Sequence, residues 1–155
     1  MSISVSEKIR KFLALSGAEK RLFLEAFTRL GMMRFSIAAM PFKRLVHKLE
    51  QSQGRSVPPS LSAGQVSRAK AVSKAVVLAA NNTPWESACL VQALTAQRML
   101  QRQGIPGVFY LGVHRDNTKV GNMRAHAWLL CGDLVVTGAG FDGFTVLSSF
   151  SWGPQ

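Results

Sequence analysis

Residues 83–94 read TPWESACLVQAL, and the fold turns on how this stretch begins. Thr83, Pro84 and Glu86 have the spacing of an N-cap, a first helical residue and a third helical residue, a capping box opened by proline. The apolar run behind them predicts a helix that continues to Gly104, with Arg98 and Arg102 in its last turns, where the helix dipole favours cations. Cys89 then falls in the first turns. Unpaired N–H groups and the positive end of the dipole favour a thiolate there, and the thiolate is the nucleophilic form. Free cysteine is also among the most buried residue types, so an inert, packed Cys89 is the competing reading.

C-terminal to this helix the apolar period changes from 3.6 towards 2. Residues 107–115, 124–131, 134–138 and 144–150 read as strands, joined by a polar loop at 116–122, a Gly132-Asp133 hairpin and a glycine-rich loop at 138–143. A cysteine nucleophile needs a base, and usually a third group that orients the base. Of the three histidines, His47 lies among Lys43, Arg44 and Lys48 and reads as part of a solvated face, while His114 ends a strand beside a loop. His126 stands inside a strand between two alanines, on one face with Trp128 and Leu130, and is the candidate base. A two-residue turn at Gly132-Asp133 pairs Cys131 with Leu134, Trp128 with Thr137 and His126 with Ala139, so the count puts no acid beside His126. Asp133 lies at the far end of the hairpin. Asp142, in the following loop, is the preferred third member, with Thr137 or a backbone carbonyl as substitutes able to fix the ring tautomer.

N-terminal to the cysteine helix, residues 1–50 read as helices. Ser4–Glu7 and Ser16–Glu19 both carry capping-box spacing, and the apolar pattern of the second helix runs through Phe35 and Ile37 until Pro41. A basic segment follows at 42–50. Residues 51–63 are rich in Ser, Gly, Gln and Pro and form a connector; a helix at about 65–80, with Val66, Ala69, Ser73, Val76, Val77 and Ala80 on one face, opens the catalytic core at 64–155. The architecture is α+β, with helices first and the Cys89 helix packed on an antiparallel sheet.

The 155 residues suffice for a core without disulfides, and two cysteines in no framework spacing point to free thiols in a reducing compartment, read as cytoplasmic. The net charge of +11, from 19 Lys and Arg against 8 Asp and Glu, predicts acidic partners. No zinc-finger spacing, RNA-binding aromatic signature or phosphate-binding glycine loop accompanies the charge, which argues against nucleic acid as partner, and no metal or cofactor is implied. Arg29, Arg34, Lys43, Arg44 and Lys48 interleave with Phe and Met, a pattern compatible with a peripheral contact on an anionic membrane or with a docking face for a protein.

The ordered set W-x-x-x-C-L-x-x-A-L (85–94), M-L-x-R-x-G-I-P (99–106), Y-L-G-V (110–113), A-H-A-W (125–128) and F-T-V-L-x-x-F (144–150) resembles the leader-peptidase family of lasso peptide maturation, in its short form without a fused leader-recognition domain. The resemblance implies a transglutaminase- or papain-like fold and a Cys-His-Asp triad whose first two positions are Cys89 and His126. The aspartate of that family falls about twelve residues after the histidine, where this chain has Gly138. It further implies a cysteine endopeptidase that removes the leader from a ribosomally made precursor peptide. The implied partners are that precursor, a separate leader-recognition protein and the lasso cyclase; the charge and apolar patterning of the N-terminal helices make them the expected docking surfaces.

Overall fold

The computed structural model describes residues 4–41, 44, 59–85, 87–115 and 123–153. His47, the connector as far as residue 58, Glu86 and the loop 116–122 lie outside these. Four helices come first: α1 (Val5–Leu13), α2 (Gly17–Ala39), α3 (Ala63–Ala80) and α4 (Cys89–Arg102). Four strands follow: β1 (Gly107–Arg115), β2 (Met123–Cys131), β3 (Leu134–Thr137) and β4 (Thr145–Trp152).

Serines start the helices, though not uniformly. Ser16 and Glu19 close the reciprocal capping box at α2, and Ser62 with Gln65 does the same at α3. Ser4 marks the start of α1, but its hydroxyl bonds that of Ser6 at 2.8 Å instead of a helix N–H. The buried face of α3 is Ala69, Val72, Ala75, Val76 and Ala79, rotated from the predicted one. The small side chains let α3 lie close between α2 and the sheet; Val77 turns to solvent, and the Ser73 hydroxyl donates to the Val136 carbonyl on β3 at 2.6 Å.

The sheet is antiparallel throughout, in the order β3-β2-β1-β4. One face meets the helices: Phe109, Ala127, Leu129, Val136 and Phe150 pack in a single core with Leu30, Val72, Val76, Leu94, Met99 and Leu100. Each large side chain so buried contributes about 1.5–3 kcal/mol. This is the α+β arrangement expected, with the Cys89 helix on the sheet.

The hairpin departs from the simple count. It opens as counted, with Cys131 opposite Leu134 and Leu130 opposite Val135, but a bulge then places Thr137 opposite Leu129 instead of Trp128. The extra residue in β3 turns Thr137 to the core side, where its hydroxyl is buried with no partner among the described residues. It also carries the next residue, Gly138, alongside Ala127 and Trp128.

Candidate active site

Cys89 is the first residue of α4, closer to the helix start than the capping-box reading placed it. Thr83 is not the N-cap of this helix. Ala88 is the N-cap, without a side-chain cap bond, because the Thr83 hydroxyl is engaged in the preceding turn: it lies 3.0 Å from the Ala80 carbonyl, 2.9 Å from the Trp85 carbonyl and 2.9 Å from the Ser87 hydroxyl. As first helical residue, Cys89 has a backbone N–H with no acceptor inside the helix, the disposition an oxyanion donor requires. Its side chain is half-buried, whereas Cys131 is buried and its thiol is pushed up to about 12 by burial. Trp85 packs its ring against Phe27 and against Gly31 of α2, and its buried indole N–H has no acceptor among the described residues.

His126 stands on β2 opposite Gly112 of β1. Its Nε2 lies 2.9 Å from the carbonyl oxygen of Gly138. A carbonyl only accepts, so Nε2 carries the proton and donates, and Nδ1 is left with the lone pair of a base. The imidazole is held by rings as well as by this bond: Phe144 at 5.1 Å and Trp128 at 5.9 Å between centroids, with Trp128 itself stacked between Tyr110 at 5.5 Å and Phe141 at 5.2 Å. Desolvation in this group of rings raises the Tyr110 hydroxyl above its ordinary pKa. His114 braces the same loop from its other end, with Nδ1 2.9 Å from the Gly143 carbonyl and its ring 5.5 Å from Phe144.

Gly138 is the position where the resemblance led one to look for an aspartate, and its geometry explains the glycine. Its φ is +75°, and a Cβ there would lie 2.3 Å from the Ala127 carbonyl oxygen and 2.7 Å from the Trp128 Cβ. Only glycine fits without a backbone shift. Among the described residues, the group bonded to His126 is a main-chain carbonyl and not a side chain. Asp142 lies exposed at the tip of the loop, Asp133 is exposed in the hairpin turn, and among the described residues neither bonds His126.

Cys89 opens α4, which packs against the sheet that carries His126. The chain leaves α4 through Ile105 and Pro106 directly into β1. Alternation along β2 nevertheless sends Ala127 and Leu129 to the helix side and His126 and Trp128 to the other. No hydrogen bond joins the thiol to the imidazole among the described residues. β3 pairs with β2 only from Leu129 to Cys131; beyond it the loop at Gly138 lies along the same edge, beside Ala127 and Trp128, with its carbonyl on His126.

Residues 32–149 match the family model described as the transglutaminase-like superfamily. The chain belongs to the transglutaminase-like superfamily. No curated protein and no solved structure matched. Superfamily membership carries the cysteine-peptidase or acyltransferase type of fold, and this transglutaminase-like chain has its cysteine at a helix start packed against the sheet. Among the described residues no three His, Cys, Asp or Glu side chains gather as a metal site, and no described helix is long and apolar enough to cross a membrane. The aromatic stack around His126 and the His114 brace went unread in the sequence; once β1 and β2 are put in register, Tyr110 opposite Trp128 signals the stack.

Proposed function

We propose that this protein is a cysteine endopeptidase that removes the leader from a ribosomally made lasso peptide precursor. Cys89 is the nucleophile and His126 the base. The observation that carries the reading is the bond from His126 to the Gly138 carbonyl, which leaves Nδ1 free to take a thiol proton. The sulfur attacks the scissile carbonyl, the imidazole passes its proton to the leaving amine, and a thioester joins the remaining acyl group to Cys89. Water then enters, gives a proton to Nδ1, and releases the acid and the thiol. The Cys89 N–H faces the oxyanion in both steps.

The mechanism requires a bound peptide to bring the thiol and imidazole together, since no hydrogen bond joins them among the described residues; catalytic hydrogen bonds commonly tighten only once substrate is bound. A neutral carbonyl in place of a carboxylate fixes the tautomer but does less to stabilise an imidazolium, so the chemistry proceeds more slowly than with a charged orienter. The resemblance over residues 85–150 supports the choice of a leader-bearing precursor, delivered by a separate recognition protein and passed on to the cyclase.

The test is the mass of the products from a synthetic precursor incubated with this protein and its recognition partner. Hydrolysis gives two fragments whose masses sum to precursor plus one water. A precursor joined to an added amine would mark an acyltransferase instead, and unchanged precursor with the recognition partner present would refute both.

A further inference from the structure

We propose that the outer face of α2 is a docking surface for an anionic lipid bilayer. The helix carries two apolar faces. Ala26 and Leu30 are buried in the core, whereas Leu24, Met32 and Phe35 are 56%, 60% and 76% exposed. At about 100° per residue, Met32 lies about 80° and Phe35 about 20° round the helix from Leu24, so the three form a single ridge opposite the buried face.

The charges on α2 are sorted to match. Both carboxylates are neutralised on the protein side: Glu19 binds Lys74 at 2.8 Å, and Glu25 binds Arg29 at 2.8 Å and Arg102 at 2.7 Å. Arg21 falls within the arc of the ridge, Arg34 is exposed about 80° from Leu24 on the side away from Met32, and neither pairs with a carboxylate among the described residues. α1 likewise buries no residue. Phe12 is tied to Phe23 of α2 at 5.2 Å, while Val5, Ile9 and Leu13, a row at four-residue spacing beside Lys8, Arg10 and Lys11, are more than half exposed.

An exposed apolar ridge with an unpaired Arg21 in its arc suits a helix lying in the headgroup region, with rings and thioethers below and the guanidinium group at phosphate level. The net charge of +11 adds long-range attraction to an anionic surface. The helix lies on the bilayer without crossing it, since no described helix can span one.

Co-sedimentation with vesicles tests this, using phosphatidylglycerol mixed with phosphatidylcholine against phosphatidylcholine alone. Binding to the anionic vesicles only, weakened by salt and by Arg21→Gln with Arg34→Gln, is expected. Met32→Ser with Phe35→Ser removes two exposed side chains whose burial is worth about tenfold each, so partitioning falls at least tenfold while thermal unfolding is unchanged. No preference for anionic vesicles, or equal binding by the Met32/Phe35 variant, overturns the proposal. So does a ridge that binds only an added acidic protein and no vesicle. Leader cleavage is scored separately in solution without lipid, so failure here leaves the peptidase reading untouched.

Discussion

Replacing Gly138 by alanine perturbs the proposed orienter most directly. Two effects act at once. With φ at +75°, an L-residue is strained by about 1–2 kcal/mol. The new methyl would also sit 2.3 Å from the Ala127 oxygen and 2.7 Å from the Trp128 Cβ, so strand β2 or the loop must move, an overpacking cost of about 1–3 kcal/mol. Together these predict a loss of about 2–5 kcal/mol, a drop of about 5–20 °C in the unfolding midpoint for a chain of this size. Gly140 supplies the control. Its φ is +83°, but nothing lies within 4 Å of the place a methyl would take, so alanine there incurs the strain alone, about 1–2 kcal/mol. Urea unfolding followed by circular dichroism measures both. Equal losses at the two positions, or no loss at Gly138, would refute the claim that the loop is clamped against β2. By the same reasoning, Gly138→Asp does not restore a carboxylate to His126: it is less stable than the native chain and no more active.

The other expectations are briefer. The Lys74 and Ser16 hydrogen bonds hold the Glu19 carboxyl at about 2, below its usual value of 4.5, so its contribution is fully present above about pH 5 and is lost as the pH falls towards 2. Midpoints measured from pH 6 to pH 2.5 should therefore fall more steeply in the native chain than in Glu19→Gln; parallel curves would contradict this. Burial pushes the Cys131 thiol up to about 12, and Cys89 is half-buried, so iodoacetamide at pH 8 should add one label to the folded protein, at Cys89, and two after denaturation. Rapid labelling of Cys131 in the folded chain would count against the core packing described. Ser73→Ala removes the 2.6 Å bond to the Val136 carbonyl and should cost about 0.5–1.5 kcal/mol by urea unfolding; a neutral result would mean that α3 does not pin the edge strand.

Periodicity made the order of elements legible because both periods are clean: the strand pattern begins at Gly107 and the Pro106 break precedes it. Capping spacing was a weaker guide. The same Ser-x-x-Glu signal closes a box at Ser16 and not at Ser4, because α1 is exposed and Ser4 finds Ser6, and at Thr83 a nearby turn takes the hydroxyl first. The hairpin count failed by one residue, since a bulge at Val136 leaves no mark in the residue pattern; both Val136 and Thr137 are β-branched and suit either register. That single residue is what brings the Gly138 carbonyl to His126. A main-chain oxygen has no letter in the sequence, so counting carboxylates pointed to Asp142, and only the absence of an acid at Gly138 hinted at a main-chain orienter.

The central claim is that Cys89 and His126 act as one unit on a peptide bond, and the rate of leader release tests it most directly. With synthetic precursor and recognition partner, single-turnover rates are measured for the native chain, Cys89→Ala, His126→Ala and Cys131→Ala. The account predicts that the first two variants each lose about a thousandfold or more while Cys131→Ala keeps its activity. Rates for Cys89→Ala or His126→Ala within about tenfold of the native chain would contradict it.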